Sequence, residues 1–458
     1  MCMNPFDSLC ERITRRMRDE NVPGMAVGVW VKSQEQVAAF GITSTANPLP
    51  VDVNTLFQVG SITKTMLAST ALRMVERGKL ALDQPVRAIL PDLRLADEGT
   101  AARLTLRHLL THTSGWAGDY FNDFGWGDDA LTRMVASLVC LPQLTPLGSL
   151  WHYNNAGFAI AGRMIEAVTG LTFEQAMAEL LFQPLGMSSA CFFPMGEVLV
   201  RRFVVGHFAN PQGQPTVALP WGVSRANHPA GGVLATIPDL LRYARFHLGD
   251  GRAENGERLL SPASLAEMRR PQAWPGVSAD AMGLTWYIKT TGPLTFYRHG
   301  GATHGQNAQL LFIPAQDFAF AILSNADQGD ELCMEMYRAA LELYFGAVEP
   351  EPATSSRPES ELSEYAGIYD AQAQAIELRP DHGGLVIRIH KKGGFPTPET
   401  PPSPDPAPFN AFFYAPDRMA VPSGSRKGTR AEFLRDRQDR IEWLRIGGRI
   451  HRKMDEVQ

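Results

Sequence analysis

An α+β domain followed by a small all-β barrel is what this 458-residue sequence predicts, on three observations. β-prone runs stand near the N-terminus and again after Leu248, on either side of a mostly helical middle with long loops. A stretch rich in Pro, Ser and Glu, Glu349 to Ser360, has little to bury and reads as a linker. Behind it come short alternating runs separated by turn residues, the pattern of a small barrel. The division is residues 1–348 for the first domain, 349–361 for the linker and 362–458 for the barrel.

Each element has its own signal. Phe6, Leu9, Ile13 and Met17 recur once per helical turn among charged residues, which predicts a packing helix within Met1 to Glu20. Met25–Trp30 and Gln36–Ile42 form a hairpin around Lys32, Ser33 and Gln34. Ser61–Arg77 is a helix, and Ala156–Val168 is another that stops at Gly170, where glycine ends the last turn. Gly283–Lys289, Thr295–Arg298, Ala308–Ile313 and Phe318–Leu323 are strands, and helix Glu331–Tyr344 covers them. Strands from both ends of the domain thus close one sheet. In the barrel, strands are expected at Ala375–Leu378, Leu385–Ile389, Ala411–Tyr414, Ala431–Leu434 and Arg440–Leu444, with Gly393–Pro408 an exposed, proline-dominated loop. There is no internal repeat.

Composition excludes several classes of function. An apolar fraction of 44% fits a folded globular protein, and a formal charge of −5 with both signs interspersed offers no basic field for nucleic acid. No apolar run reaches the length of a membrane span, and the N-terminus lacks the uninterrupted apolar core of a secretory signal, so a soluble, cytoplasmic protein is expected. Five scattered cysteines lack zinc-site spacing and read as reduced thiols; no metal or other cofactor is expected. Gly60–Thr65 resembles the end of a phosphate loop, but Thr63 stands where glycine must precede the lysine.

Three segments carry chemistry. In Ser61-Ile62-Thr63-Lys64, one helical turn brings Ser61 and Lys64 to one face, where the amine can activate the hydroxyl as a nucleophile. The plain alternative is a helix cap with a solvated lysine. Tyr153-Asn154-Asn155 lies where a loop enters a helix; Tyr153 can shuttle a proton, with Lys64 as the ammonium that would favour its phenolate, and Asn155 can orient a substrate amide. A second Tyr-x-Asn, Tyr120 to Asn122, lies in a loop with no helix at its exit, and Tyr153 is preferred for that reason. In His299-Gly300-Gly301-Ala302, paired glycines let a substrate lie against a strand, and the N–H groups of Ala302 and Ser61 would form an oxyanion hole. Asp381-His382-Gly383-Gly384 repeats the tripeptide in the barrel and reads as a hairpin turn. Loops Tyr120–Trp126 and Trp221–His228 are aromatic-rich and are expected beside the cleft.

With these residues in order, the chain resembles the serine β-lactamase and penicillin-binding superfamily, in its class C-like branch of D-aminopeptidases, alkaline D-peptidases and carboxylesterases (peptidase family S12). The resemblance covers residues 8 to 346 and includes Leu109-Leu110-Thr111-His112-Thr113-Ser114-Gly115, Pro229-Ala230-Gly231-Gly232-Val233 and Leu323-Ser324-Asn325. It implies an antiparallel sheet flanked by helices with an all-helical subdomain, and a lipocalin-like C-terminal barrel that can border the cleft. It also implies Ser61 as the acylated nucleophile, Lys64 and Tyr153 sharing general-base and proton-relay work in an order left open, and Asn155 holding substrate and lysine. The signatures around Thr111 and Ala230 would be scaffold. His299 stands where β-lactamases usually carry Lys-Thr-Gly; with a reference pKa near ~6.5 it lacks a permanent cation for penicillin-like carboxylates. The implied function is a serine hydrolase acting through an acyl-enzyme on amides or esters, with small D-amino-acid peptides favoured. A carboxylesterase is the alternative, as is a penicillin-binding sensor with little turnover. The expected partner is a small molecule or short peptide, with no nucleic acid and no membrane; assembly into a homo-oligomer is left open.

Overall fold

The structure, a computed structural model, describes residues 4–194, 198–424 and 426–454. Asn4 accepts a hydrogen bond from the Phe6 N–H at 3.2 Å and starts helix α1 (Pro5–Asp19), which buries Phe6, Leu9, Ile13 and Met17. β1 (Gly24–Val31) and β2 (Gln34–Gly41) form the expected hairpin, with Lys32 and Ser33 at positive φ in its turn. Helices α2 (Ile62–Glu76), α3 (Ala156–Thr169) and α4 (Ile237–Leu248) belong to the helical middle, and Gly170 ends α3 at a φ of +73°.

β3 (Ala281–Met282), β4 (Tyr287–Thr291), β5 (Leu294–Thr303), β6 (Gln306–Ile313), β7 (Phe318–Ser324) and helix α5 (Gly329–Phe345) complete the domain. The seven-stranded antiparallel sheet runs β2-β1-β7-β6-β5-β4-β3, so strands from the two ends of the domain pair within it as β1 and β7. Every residue of β6 and β7 is buried, because α1 and α5 cover one face and α2 and α4 the other. Strands covered on both faces read as continuous apolar runs.

Two local expectations differ. Gly283–Lys289 is not one strand: a turn with Thr285 at a φ of +68° separates β3 from β4. The helical middle also holds a three-stranded sheet of Phe57–Gln58, Val233–Ala235 and Cys191–Phe192, and a hairpin of His207–Ala209 with Pro215–Val217. Strands this short show no alternation.

The C-terminal unit is a closed eight-stranded barrel: β8 (Gly367–Asp370), β9 (Gln374–Asp381), β10 (Gly384–Lys391), β11 (Phe409–Ala415), β12 (Arg418–Ala420), β13 (Arg430–Arg435), β14 (Ile441–Ile446) and β15 (Arg449–Lys453). Its core is formed by inward residues such as Tyr369, Ile376, Leu385, Phe413, Phe433 and Leu444. Three strands escape the sequence reading. β8 and β12 are very short, and β15 is dominated by cations.

Glu349 pairs with Lys289 at 2.9 Å and with Arg430 of the barrel at 3.0 Å, so the proline-rich connection is tied to both units. The 393–408 loop is not simply exposed: Pro396 and Thr400 are buried, and Phe395 meets Phe121 of the first domain at 4.7 Å. The barrel's outer face buries the pair Arg445–Glu432, 2.7 Å apart, against Gly276, where a Cβ would strike the Glu432 carboxylate. Among the described residues no disulfide links the cysteines, no group of side chains is arranged to hold a metal ion, and no helix is long and apolar enough to cross a membrane.

Candidate active site

Ser61 occupies the N-cap of α2 yet its side chain makes no capping bond. Its Oγ accepts instead from Lys64 Nζ at 3.0 Å. Lys64 is wholly buried, which removes the reading of a solvated first-turn lysine. The amine also donates to the Ala230 carbonyl at 2.5 Å and lies 5.0 Å from the Tyr153 ring centre and 5.2 Å from that of Phe158. Burial, and then the positive charge of Arg449, hold its pKa well below the usual lysine value, while Asp119 acts the other way.

Local structure fixes this pair. Val59 N–H donates to the Val233 carbonyl and Val233 N–H to Thr63 Oγ1, which ties the start of α2 to the 230–233 segment that carries the Ala230 carbonyl. Gly60 takes a φ of +52°, and a Cβ there would lie 2.6 Å from the Ala302 nitrogen. A Cβ on Gly301 would collide with the Val59 carbonyl and lie 3.0 Å from Ser61 N. Both glycines are therefore required for β5 to lie against the serine.

Register settles where the β5 donors point. The two-residue turn His304–Gly305 makes Thr303 and Gln306 the hydrogen-bonded pair closing the β5–β6 hairpin, so Gly300 and Ala302 turn their N–H groups away from β6. β4 pairs with β5 only as far as Arg298, leaving that edge open beyond it. The Ala302 N–H thus faces the gap beside Ser61.

Tyr153 is buried and stacks on His112 at 4.3 Å between ring centres, with His299 at 6.2 Å. Its Oη makes no well-formed hydrogen bond. Burial, with Tyr287 adding to it, pushes the phenol well above its usual pKa, and the nearby Ser61 hydroxyl only partly opposes this. Burial works against the expectation that a Lys64 ammonium would favour phenolate, because it disfavours the charged form of both groups, lowering the lysine's pKa and raising the phenol's.

His299 is fixed as one tautomer. Its Nδ1 donates to the Gly300 carbonyl at 2.6 Å, which leaves Nε2 an acceptor, buried and unpartnered. Burial lowers its pKa to about 3, so it presents no cation at neutral pH. Asn155 departs from its expected contact with the lysine. Its Nδ2 donates to Asp119 Oδ1 at 2.7 Å, and Asp119 in turn pairs with Arg449 of the barrel, Nε to Oδ2 at 2.9 Å and Nη2 to Oδ1 at 3.1 Å.

Several residues at the site were not singled out from the sequence. The Ala230 carbonyl touches Lys64 directly, although its segment was read as scaffold. His112, at a φ of +57°, accepts from Asn154 N–H through Nδ1 and supports the Tyr153 ring. Asp119, Gly448 and Arg449 come from a loop and from a strand of another domain. The Gly447-Gly448 pair ahead of Arg449 was the available signal, by the same close-approach argument that picked out Gly300 and Gly301. The decoys separate: Tyr120 bonds Ser137 and Asn122 away from the serine, and His382 lies exposed in a hairpin turn. The two aromatic loops meet through Asn227 Nδ2 and the Asn122 carbonyl.

A serine at a helix start, bonded to a buried amine and facing open strand N–H groups, on an antiparallel sheet flanked by helices, defines a serine hydrolase. The chain belongs to the Beta-lactamase family, whose sequence pattern matches residues 10–344. Penicillin-binding protein 4 of Amycolatopsis lactamdurans is 33% identical over 382 residues, which is 81% of this chain and all of that protein. Esterase EstB of Burkholderia gladioli is 34% identical over 276 residues, 52% of this chain and 66% of the esterase. Among solved structures, SurE with D-Leu shares the fold across both units, with a TM-score of 0.75 at 24% identity, covering 98% of this chain and 99% of that one.

Proposed function

We propose that this protein cleaves amide or ester bonds through an acyl-enzyme on Ser61, with small peptides containing D-amino acids as its favoured substrates. The observation that carries the mechanism is the 3.0 Å contact between Ser61 Oγ and the wholly buried Lys64 amine. The neutral amine takes the Ser61 proton as Oγ attacks the substrate carbonyl. The N–H groups of Ser61 and Ala302 receive the developing oxyanion. Tyr153, a neutral phenol beside both groups, relays the proton from Lys64 to the leaving amine or alkoxide as the carbonyl–leaving-group bond breaks. Water then attacks the ester carbonyl, giving its proton back through the same pair, and Ser61 is released as the hydroxyl. Asn155, held by Asp119, directs its amide toward the substrate.

The substrate class is supported by the third motif. With His299 neutral and Arg449 already paired to Asp119, neither offers a free cation to a penicillin carboxylate, so poor β-lactam turnover is expected. The SurE structure holding D-Leu gives the D-amino-acid preference some support, and the EstB resemblance favours a carboxylesterase as the second reading. Intact-protein mass after fluorophosphonate treatment, with peptide mapping, tests the nucleophile. An adduct confined to Ser61 and absent from Ser61→Ala is expected; a folded, unlabelled wild type would overturn the mechanism. D-alanyl and D-seryl anilides measured against short-chain p-nitrophenyl esters then separate the two substrate readings.

A further inference from the structure

The tip of the β14–β15 hairpin leaves the barrel and enters the catalytic cleft. Gly447 and Gly448 take φ values of +58° and +76° in its two-residue turn, a conformation open to glycine at little cost. The Gly448 carbonyl accepts from Tyr153 N–H at 2.8 Å, and a Cβ on Gly448 would already lie 3.2 Å from Trp151 and 3.7 Å from Tyr153 Cβ. Arg449 follows, its guanidinium 4.9 Å from the Tyr153 ring centre and forked onto both oxygens of Asp119. Asp119 is only 8% exposed, while 37% of the Arg449 side chain remains open to solvent. The same carboxylate oxygen that takes Arg449 Nη2 also takes Asn155 Nδ2.

We infer that Asp119 and Arg449 are a positioning pair through which the C-terminal barrel completes the active site: Asp119 fixes the Asn155 amide, and the pair together keeps the charge around Lys64 balanced. Neither touches the reacting atoms in this scheme. The inference rests on the Ser61–Lys64 mechanism proposed above.

The electrostatics give the pair a signature that packing alone does not. The groups facing Lys64 are Ser61 and its own helix, Tyr153 and Asp119 from the loops before α3, His112, His299 on β5 and Arg449 on β15. Tyr153, His112 and His299 are all held neutral by burial, which leaves Asp119 and Arg449 as the two charges acting on the amine. They act with opposite sign, Arg449 disfavouring the ammonium and Asp119 favouring it. Burial alone would raise the Asp119 pKa; the charge and hydrogen bonds of Arg449, then the Asn155 hydrogen bond and Lys64, outweigh it and favour the carboxylate.

Removing one charge should therefore move the acid limb of the reaction in one direction, and removing the other should move it the opposite way. Asp119→Asn keeps an oxygen for Asn155 but deletes the anion, so the limb shifts to lower pH. Arg449→Met strands the anion, so the limb shifts to higher pH. Arg449→Lys restores the wild-type limb, and Asp119→Asn/Arg449→Met together return close to it. Shifts of roughly half a unit or more are expected for each single charge removal.

The test is the second-order rate of fluorophosphonate labelling at Ser61 as a function of pH, for the full-length wild type and these four variants, with near-ultraviolet circular dichroism to establish folding. Wild type that fails to label at any pH overturns the nucleophile and this pair with it. Wild type that labels while the single variants keep the wild-type limb, or shift it in the same direction, overturns the pair and leaves the nucleophile standing. Opposed shifts that cancel in the double variant support it. Should a charge-removing variant not fold, Arg449→Gln or Asp119→Ser is read by the same criteria.

Discussion

Lys64 shows how far a side chain's surroundings can take it from its behaviour in water. A fully buried amine with an oxygen of Ser61 and a backbone carbonyl as partners is worth more as a base than as a cation. Only its unprotonated form accepts the serine proton, so acylation should rise with pH through a pKa well below 10.5 and then level off. Ser61→Ala should lower turnover by about 10⁴-fold or more and leave thermal unfolding unchanged, and Lys64→Ala and Tyr153→Phe should each slow acylation by roughly 10²-fold or more in single-turnover kinetics. Tyr153→Phe should keep the acid limb, since the base remains. The same burial has a linkage consequence. Between the lowered folded pKa and 10.5 the unfolded chain binds a proton that the folded chain does not, so stability rises with pH across that window. Urea unfolding of wild type against Lys64→Met, from about pH 6 to about pH 9, should show the difference moving in favour of wild type as pH rises.

At the level of elements, the site is a meeting of the start of α2, the entry to α3 and the free edge of β5. Backbone approach, more than side-chain contact, defines it. Gly301 has no room for a methyl against the Val59 carbonyl, and Gly60 needs its positive φ. Gly301→Ala should push β5 away from Ser61 and cost roughly 10²-fold in kcat/KM on a small ester, where the oxyanion donors supply most of the recognition. Retained circular dichroism with wild-type kinetics would show that the Ala302 N–H is not needed.

On the scale of the whole molecule, the barrel docks on the catalytic domain through the hairpin and through a face on which its own buried ion pair packs against Gly276. Arg445 is fully enclosed, paired with Glu432 at 2.7 Å, and its Nε and Nη2 find no other partner. Glu432→Gln leaves that guanidinium enclosed without its anion, a loss expected to cost about 3–5 kcal/mol. Equilibrium urea unfolding should show the lower stability, and limited proteolysis should cut first in the proline-rich connection. Loss of the docked barrel should also disturb the pH profile, because Arg449 leaves Asp119 with it.

Periodicity in the chain determined much of this protein. The turn-by-turn apolar residues of α1, the doubly buried runs of β6 and β7 and the glycine after α3 are local patterns, and local patterns survive in sequence. The segments Ser61–Lys64, Tyr153–Asn155 and His299–Ala302 were legible because each couples a chemical group to a glycine turn or a helix start. What only the tertiary structure decided is charge and partnership. Whether Lys64 is an ammonium depends on burial by residues from remote segments, Asn155 turns to Asp119 and not to the lysine, and the nearest cation comes from a strand too polar to read as one. Those outcomes depend on contacts between residues far apart in the chain, and desolvation and Coulomb energies are set by three-dimensional distance.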